Sequence, residues 1–421
     1  MVTTRYKNEL FMRFGELLTS RRVPGLKMRT EPNRGLIFLL LFSISFLIFW
    51  STGEGHPTYY DYYVRLADAF LHGRLYLTEQ PSGLTELVPS NGRFFVVYPP
   101  LPAVLMIPLV AVVGTSLNQT LVSVVIGSLC VVLAFVVTGD VMGATENSAV
   151  SIWSAALFGF GTLFWYLTSV GSAWYLAHVV SVFFLFLAIH EALTKARPLV
   201  IGLLVGSSYW CRLPTILTLT FFAAMIGFAY QWDRAKMQVP VLKLVAGASV
   251  FVGLNMLYNY ARFGTPFDVA YWLIPGIMDE PWFSKGQFSF SYISCNLQGL
   301  FSALPAVSSE PPYLLPRWNG MAIWVTTPAF IFAVRSSSKE HVTWACWLAI
   351  LAVAAVLFMR GCSGFGFGYR YAMDFYPFLF LLTVKGLGER LKGHHKGLIL
   401  LSVLINFWGV LWVNKFNWWS F

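Results

Sequence analysis

The chain has 421 residues, of which 57% are hydrophobic and only 11% are charged, and its formal net charge is +10. Soluble domains carry roughly 25% charged residues, so this composition excludes an ordinary soluble protein and indicates an integral membrane protein. The positive charge does not indicate a nucleic-acid binder, because the basic residues are spread over many short segments and form no single patch.

The N-terminal region predicts a cytoplasmic tail followed by a first span. Residues 1–34 are basic, and no small-residue cleavage site follows the first apolar run, so this region is not a signal peptide. Residues 35–51 (GLIFLLLFSISFLIFWS) are apolar enough to cross a bilayer, and the basic tail marks their cytoplasmic end. We expect residues 35–421 to form a single transmembrane bundle.

A polar stretch, residues 51–102, follows the first span and is expected outside the cell membrane. It concentrates acids, histidines and arginines in a chain that is otherwise mostly apolar. Ionisable groups held at a membrane face are costly and indicate a functional site. Residues 52–118 are therefore the first of two outer loops expected to form the active-site face.

Part of this stretch predicts an amphipathic helix. In YYDYYVRLADAFLHGRL (residues 59–75), Asp61, Arg65, Asp68 and His72 are spaced four, three and four apart and fall on one stripe. Such a helix would lie on the bilayer with its charged edge towards a cavity. The alternative is an interfacial helix whose acids merely pair with Arg65.

The next apolar run, residues 96–114, contains four prolines, and consecutive prolines remove backbone donors that lipid cannot replace. If this run crossed the membrane, three later basic clusters would fall outside and contradict the positive-inside rule. We therefore expect it to lie along the outer interface. Ten further spans are expected after it and, with 35–51, make eleven: 119–139, 150–168, 173–193, 198–211, 214–231, 242–260, 320–335, 341–359, 374–390 and 397–413.

A second outer loop is expected at residues 261–319. It is rich in aromatic residues and proline, and loops of this length are usually functional or disordered, with the aromatic content arguing against disorder. Of the five cysteines, Cys295 and Cys362 are expected to pair only if both of their loops face an oxidising compartment.

The segment GFGFGYRYAMDFYPF (residues 364–378) is a candidate phosphate site. Arg370 and Asp374 lie four residues apart at the mouth of the next predicted span, with Tyr371 beside them. A guanidinium held by a carboxylate matches the oxygens of a phosphate. The alternative is a structural ion pair that caps the helix.

Two other polar residues lie among apolar segments. Arg212 is at a tight junction between two predicted spans and needs an anionic partner, either a protein carboxylate or a ligand phosphate. His178, with Trp174 close by, is at the outer end of its span, where aromatic-belt or core residues are typical.

Several of these stretches together resemble the GT-C superfamily of polyprenyl-phosphate-sugar-dependent membrane glycosyltransferases. A basic tail, one span, an outer loop with an acid before a Y-x-x-x-A helix (Tyr63, Ala67), and then YPPLPAVLMIPLVAVVG are similar to this superfamily, as are GSAWYLAHVV and FGYRYAMDFYPF. Members often have an acidic pair seven or eight residues before the alanine. This chain has Tyr59 and Tyr60 there.

The resemblance implies an all-α GT-C-like bundle, a lipid-linked sugar as co-substrate, and an active site on the outer face with a catalytic carboxylate in the first outer loop. It implies an inverting transferase of the bacterial inner membrane, acting on a glycan, lipid or protein acceptor. The charge pattern, with a cytoplasmic N-terminus and eleven spans, predicts a periplasmic C-terminus. We take Asp61 as the expected base and Glu54 and Asp68 as alternates. The expected donor-phosphate ligands are Arg370, Arg212, Tyr371 and Asp374. The expected substrate-binding residues are His56, Arg65, His178 and Trp174.

No D-x-D motif occurs, so the sequence does not require a metal, although GT-C members differ on this point. Two other classes remain open. A transporter or flippase predicts charges near the bilayer midplane and two related halves. A non-catalytic partner of a glycan assembly system predicts tolerance to the loss of Asp61.

Overall fold

The computed structural model describes residues 34–143, 147–317, 320–362 and 366–418. Apart from Arg34, the predicted basic tail lies outside these residues. The described residues are mostly helical and form very little sheet, which confirms an all-α membrane protein. The helices, in chain order, are α1 (Arg34–Thr52), α2 (Tyr62–Leu71), α3 (Leu101–Val113), α4 (Gln119–Met142), α5 (Ser148–Phe160), α6 (Phe164–Val170), α7 (Ala173–Thr194), α8 (Pro198–Tyr209), α9 (Leu219–Ala229), α10 (Arg234–Phe263), α11 (Ile293–Phe301), α12 (Ile323–Thr326), α13 (His341–Met359), α14 (Tyr376–Leu387) and α15 (Gly393–Asn414).

Among the described residues, six helices are long and apolar enough to cross a membrane, namely α1, α4, α7, α10, α13 and α15. A seventh span results if α5 and α6, which are bent by 56° relative to each other, are counted together. Helices α8 and α14 are shorter, and the expected span 320–335 contains only α12 and a 3₁₀ segment, Pro328–Arg335. Pro328 has no backbone N–H and interrupts the helix there. The predicted count of eleven spans is therefore not confirmed.

The residues on either side of helix α3 both contact the start of α2. The ring of Tyr98, just before α3, lies 5.2 Å from that of Tyr62 and 6.0 Å from that of Tyr63, at the start of α2. After α3, the side chain of Gln119 accepts a hydrogen bond from the Tyr63 amide at 3.2 Å and donates one to the Tyr60 carbonyl at 3.1 Å. Both ends of this proline-rich run thus meet the start of α2.

A short antiparallel hairpin follows α2. Strand β1 (Leu87–Ser90) pairs with β2 (Arg93–Val96) in the register Leu87↔Val96. The turn is Asn91–Gly92, with φ angles of 48° and 72°, the left-handed values that a two-residue type I′ turn requires. This hairpin fixes the position of the residue immediately before β1, Glu86. A second pair, β3 (Ala306–Val307) and β4 (Leu314–Leu315), lies in the second long loop.

The bundle core is packed with aromatic side chains. Phe158 of α5 is fully buried, and its ring centroid lies 4.8 Å from those of Phe164 and Phe186 and 5.4 Å from that of Phe380. These contacts join α5, α6, α7 and α14. The Phe186 and Phe380 pairs are edge to face, and such pairs contribute about 0.5–1.5 kcal/mol each beyond their burial. They give the bundle a rigid frame for the helix ends.

The chain is extended at Arg212, between α8 and a 3₁₀ segment, Leu213–Thr218. Hydroxyl groups hold this break in place: Ser208 contacts Ser181 at 2.7 Å and donates to Thr215 at 3.0 Å, and Thr215 donates to the Arg212 carbonyl at 2.8 Å. The Arg212 carbonyl at the break is thus hydrogen-bonded inside the protein, as a backbone group in a membrane requires. Arg212 is thereby held between two apolar helices.

Cys295 and Cys362, whose pairing the sequence left conditional, form a disulfide that ties α11 to the segment after α13. Beside it, the buried Asn296 side chain donates hydrogen bonds to the carbonyls of Phe358 at 3.1 Å and Arg360 at 2.8 Å. Asn296 also accepts one from the Tyr369 hydroxyl at 2.9 Å. The second long loop therefore contacts the chain at the end of α13 and again at Tyr369.

Candidate active site

A cavity of about 1340 Å³ opens where several helices end. It is lined from the polar stretch after α1, from the start of α7, from the break after α8, from the second long loop, and from the segment between α13 and α14. These are the chain segments that the charge pattern places on one side of the membrane. Its lining combines many aromatic side chains with several charged ones.

Arg360 and Arg370 bring positive charge to this cavity. Arg360 follows the last turn of α13, and Arg370 begins a 3₁₀ segment, Arg370–Asp374. Among the described residues neither guanidinium forms an ion pair with a carboxylate, and the buried Nε of Arg370 has no hydrogen-bond partner. Half-buried arginines without a carboxylate are suited to bind an anion.

Both arginines converge on one tyrosine, Tyr371. Its hydroxyl oxygen accepts a hydrogen bond from Arg360 Nη1 and another at 3.4 Å from Arg370 Nη2. Each guanidinium also lies over an aromatic face, since Arg370 is 5.3 Å from the Tyr175 ring and Arg360 is 5.7 Å from the Tyr271 ring. Stacking of this kind stabilises a desolvated guanidinium.

The expected pairing of Arg370 with Asp374 is wrong. Asp374 is held by Arg212, whose Nε and Nη2 donate to the two carboxylate oxygens at 3.1 and 2.9 Å, and by His178 Nδ1 at 2.9 Å. The segment is a 3₁₀ helix with three residues per turn, so positions four apart do not face each other. Of the two alternatives for Arg212, its partner is a protein carboxylate, and Asp374 is therefore not free to help bind a phosphate.

The carboxylate of Glu86 is held inside the cavity. Its Oε2 accepts one hydrogen bond from Trp174 Nε1 at 2.9 Å and another from the Tyr98 hydroxyl. The Tyr62 hydroxyl accepts from the Glu86 amide at 3.1 Å and so fixes its backbone. The charge of Glu86 acts on both Arg360 and Arg370.

Glu54 and His56 also line the cavity. His56 Nδ1 lies 4.0 Å from Glu54 Oε2, and the centroid of the His56 ring lies 5.0 Å from that of the Tyr59 ring. Burial raises the pKa of Glu54, and His56 only partly opposes the rise. A carboxyl with a raised pKa is better matched to proton transfer near neutral pH than an ordinary one.

The stripe of charges on α2 lies elsewhere. Asp61 accepts from Arg65 Nε at 2.7 Å, and Asp68 lies 3.7 Å from His72 Nδ1. None of these four residues is among the described residues that line the cavity, to which the α2 region contributes Tyr59, Tyr60 and Tyr63 instead. The opposite face of α2 is buried against α3, which turns the charged edge away. The structure therefore brings Glu54, His56, Trp174, Arg212, Arg370 and Tyr371 to the cavity, and leaves Asp61, Arg65 and Asp68 outside it.

Two residues of this site were not predicted as functional. Arg360 follows directly on a 19-residue apolar helix, and a charge at that boundary was a signal that could have been used. Glu86 lies five residues before an Asn–Gly pair between short apolar runs, which is a hairpin signal. Its contact with Trp174, 88 residues away, has no local signal.

Within the described ranges no three His, Cys, Asp or Glu side chains come together in a way that could hold a metal ion. No protein family model matches the chain, and no curated protein matches it.

Proposed function

We propose that this protein is a membrane glycosyltransferase that moves a sugar from a polyprenyl-phosphate donor to an acceptor hydroxyl. The observation that carries the proposal is one cavity that holds two arginines without carboxylate partners among the described residues, together with the carboxylate of Glu86. Sugar transfer from a phosphate needs this combination. Cations stabilise the departing phosphate, and a carboxylate takes the proton of the attacking hydroxyl.

The arginines account for the leaving group. A sugar joined to a polyprenyl phosphate carries one negative charge on its phosphodiester, and a second charge develops as the bond to the sugar breaks. Arg360 and Arg370 are positioned to stabilise that second charge, and their planar forks match phosphate oxygens. Arg212 adds a third positive charge nearby, which Asp374 compensates.

Glu86 is the carboxylate that the geometry favours as general base. Trp174 and Tyr98 hold it in one orientation, and held orientation is a large part of what makes a general base effective. The acceptor oxygen bonds to the anomeric carbon, the bond from that carbon to the phosphate oxygen breaks, and the acceptor proton passes to Glu86. Glu54 is the alternate. Asp61, the base expected from the sequence, is held by Arg65 outside the cavity lining, and we do not carry it forward.

The isoprenoid tail requires an apolar surface that continues from the cavity. Phe288 and Trp282 line the cavity and are 51% and 40% exposed, so their faces are open to a lipid chain. A donor bound in this way would place its phosphate at the arginines while its tail stayed in the bilayer.

We further propose that the cavity faces the periplasm of a bacterial inner membrane. Disulfides persist in oxidising compartments, and the Cys295–Cys362 bond lies next to Arg360. The basic residues of the sequence favour the same orientation. A transporter fits less well, because the charges of this cavity lie at helix ends and a transporter is expected to hold them at mid-membrane.

The test is a transfer assay on membranes that contain Glu86→Gln. Gln keeps the size of the side chain and can still accept from Trp174, but it cannot take a proton. Transfer of a labelled hexose from polyprenyl-phosphate hexose to the membrane glycan fraction should fall by about 10² to 10⁴.

Asp61→Asn is the matched control, because it changes a carboxylate of the same loop that lies outside the cavity, and it should keep transfer near the wild-type rate. Glu54→Gln tests the alternate base. Loss of transfer in Asp61→Asn alone would return the base to the position expected from the sequence. Wild-type transfer in all three variants would favour a transporter or an assembly partner.

A further inference from the structure

Tyr371 occupies the place where an anion is needed. Its side chain is only 2% exposed, yet it lines the cavity, and its oxygen accepts from both Arg360 and Arg370. An arginine side chain can only donate hydrogen bonds, so two guanidinium groups converge on one oxygen that is a better acceptor when it has lost its proton. The geometry is that of a phenolate held between two cations.

The surrounding charges favour the same form. Among the described residues, the ionisable groups that face Tyr371 from the elements packed around it are Arg360, Arg370, Arg212, His178, Tyr175, Tyr271, Tyr369 and Asp374. Of these, Asp374 is held by Arg212 and His178. Burial alone raises the pKa of the Tyr371 hydroxyl, but Arg360, Arg370 and Arg212 outweigh burial, and the pKa lies below its usual range.

We propose that Tyr371 is the counter-anion of the unliganded site, and that it exchanges this role with the phosphate of the lipid donor. When a phosphate binds Arg360 and Arg370, the Tyr371 oxygen takes up one proton from solvent. The neutral hydroxyl then donates a hydrogen bond to a phosphate oxygen, where charge increases as the sugar leaves. This inference rests on the proposed function, because it takes the phosphate of that donor as the incoming anion.

The exchange makes donor binding depend on pH with a defined sign. Above the pKa of Tyr371 in the unliganded site, each binding event must return one proton to the phenolate. Affinity should therefore fall by about tenfold per pH unit as pH rises through that range. In Tyr371→Phe there is no phenolate to protonate, so affinity should not change with pH there.

The first measurement needs no ligand. Tyrosinate absorbance of the full chain in detergent is followed as pH rises, for wild type, Tyr371→Phe and the matched control Tyr369→Phe. Tyr369 lies in the same segment, but its hydroxyl donates to Asn296. Wild type and the control should both show an absorbance change at lower pH than the other tyrosines, and Tyr371→Phe should lack it. Its size should be that of one of the chain's 19 tyrosines. Identical absorbance changes at this lower pH in all three proteins would overturn the proposal.

The second measurement is the number of protons taken up on binding, and its result on wild type is decisive without the variants. The probe is farnesyl methyl phosphodiester, whose single charge does not titrate in this range. Calorimetry is run in two buffers of different ionisation enthalpy, about one pH unit above the tyrosinate midpoint. Uptake of about one proton per probe is expected in wild type and in Tyr369→Phe, and none in Tyr371→Phe.

Failure of the proton exchange and failure of the phosphate site give different results. Probe binding without proton uptake in wild type would refute the exchange and leave the phosphate site of the proposed function standing. A probe that does not bind at all would refute the exchange together with that phosphate site.

Discussion

Replacing Asp374 with Asn should destabilise the protein strongly while leaving the phosphate site intact. The Asp374 carboxylate is fully buried, and it receives three hydrogen bonds, two from Arg212 and one from His178. Removing one partner of a buried ion pair costs about 3–5 kcal/mol, because the other charge is left uncompensated. The Arg212 side chain is 21% exposed, so water partly compensates the charge that the substitution leaves behind. We therefore expect the free energy of unfolding to fall by about 3 kcal/mol. That is about a hundredfold in the folding equilibrium.

The assay is equilibrium unfolding in detergent of wild type, Asp374→Asn and the double variant Asp374→Asn with Arg212→Met. The double variant removes the stranded charge, so it should recover a large part of the lost stability. Binding of a polyprenyl phosphate should persist in folded Asp374→Asn, because Arg360 and Arg370 are unchanged. A loss of stability below about 1 kcal/mol would mean that the pair behaves as an exposed one, and would refute the reasoning.

Two further variants test the parts that hold the site. Arg370→Lys keeps the charge but loses the planar fork, so donor binding should weaken about tenfold or more. This corresponds to roughly 1.5–3 kcal/mol for a charge-assisted contact. Normal donor binding by the folded variant would mean that Arg370 is a purely structural residue. Replacing both Cys295 and Cys362 with Ser should lower the free energy of unfolding by about 2–5 kcal/mol and weaken donor binding, because Arg360 lies two residues from Cys362. Reductant should reproduce both effects in wild type and change nothing further in the double variant, and an unchanged wild type would contradict the prediction.

Much of the scaffold could be predicted because its signals are local. Most of the apolar runs are helices. The loss of backbone donors at Pro99 and Pro100 and the positions of basic residues are also visible in the sequence, and they predict that this stretch lies along the interface. The amphipathic pattern predicted α2. Its charged stripe was assigned to a cavity, whereas the structure buries the opposite face against α3 and leaves the stripe outside. Periodicity shows which residues share a face but not what that face meets.

The partners inside the site could not be predicted from spacing. Asp374 and Arg370 are four residues apart and would face each other on an α-helix, but the 3₁₀ geometry separates them. The actual partner, Arg212, is 162 residues away, at a break between two helices. Glu86 depends in the same way on Trp174. The site is therefore assembled by tertiary packing, although most of its segments were recognisable as polar interruptions.

The most direct test of the account is a density map of the full chain with polyprenyl phosphate bound. The account predicts phosphate density within hydrogen-bonding distance of both Arg360 and Arg370, with the cavity side of Glu86 left open for an acceptor. Phosphate density at the charged edge of α2, beside Asp61 and Arg65, or none in the cavity at saturating lipid, would contradict it.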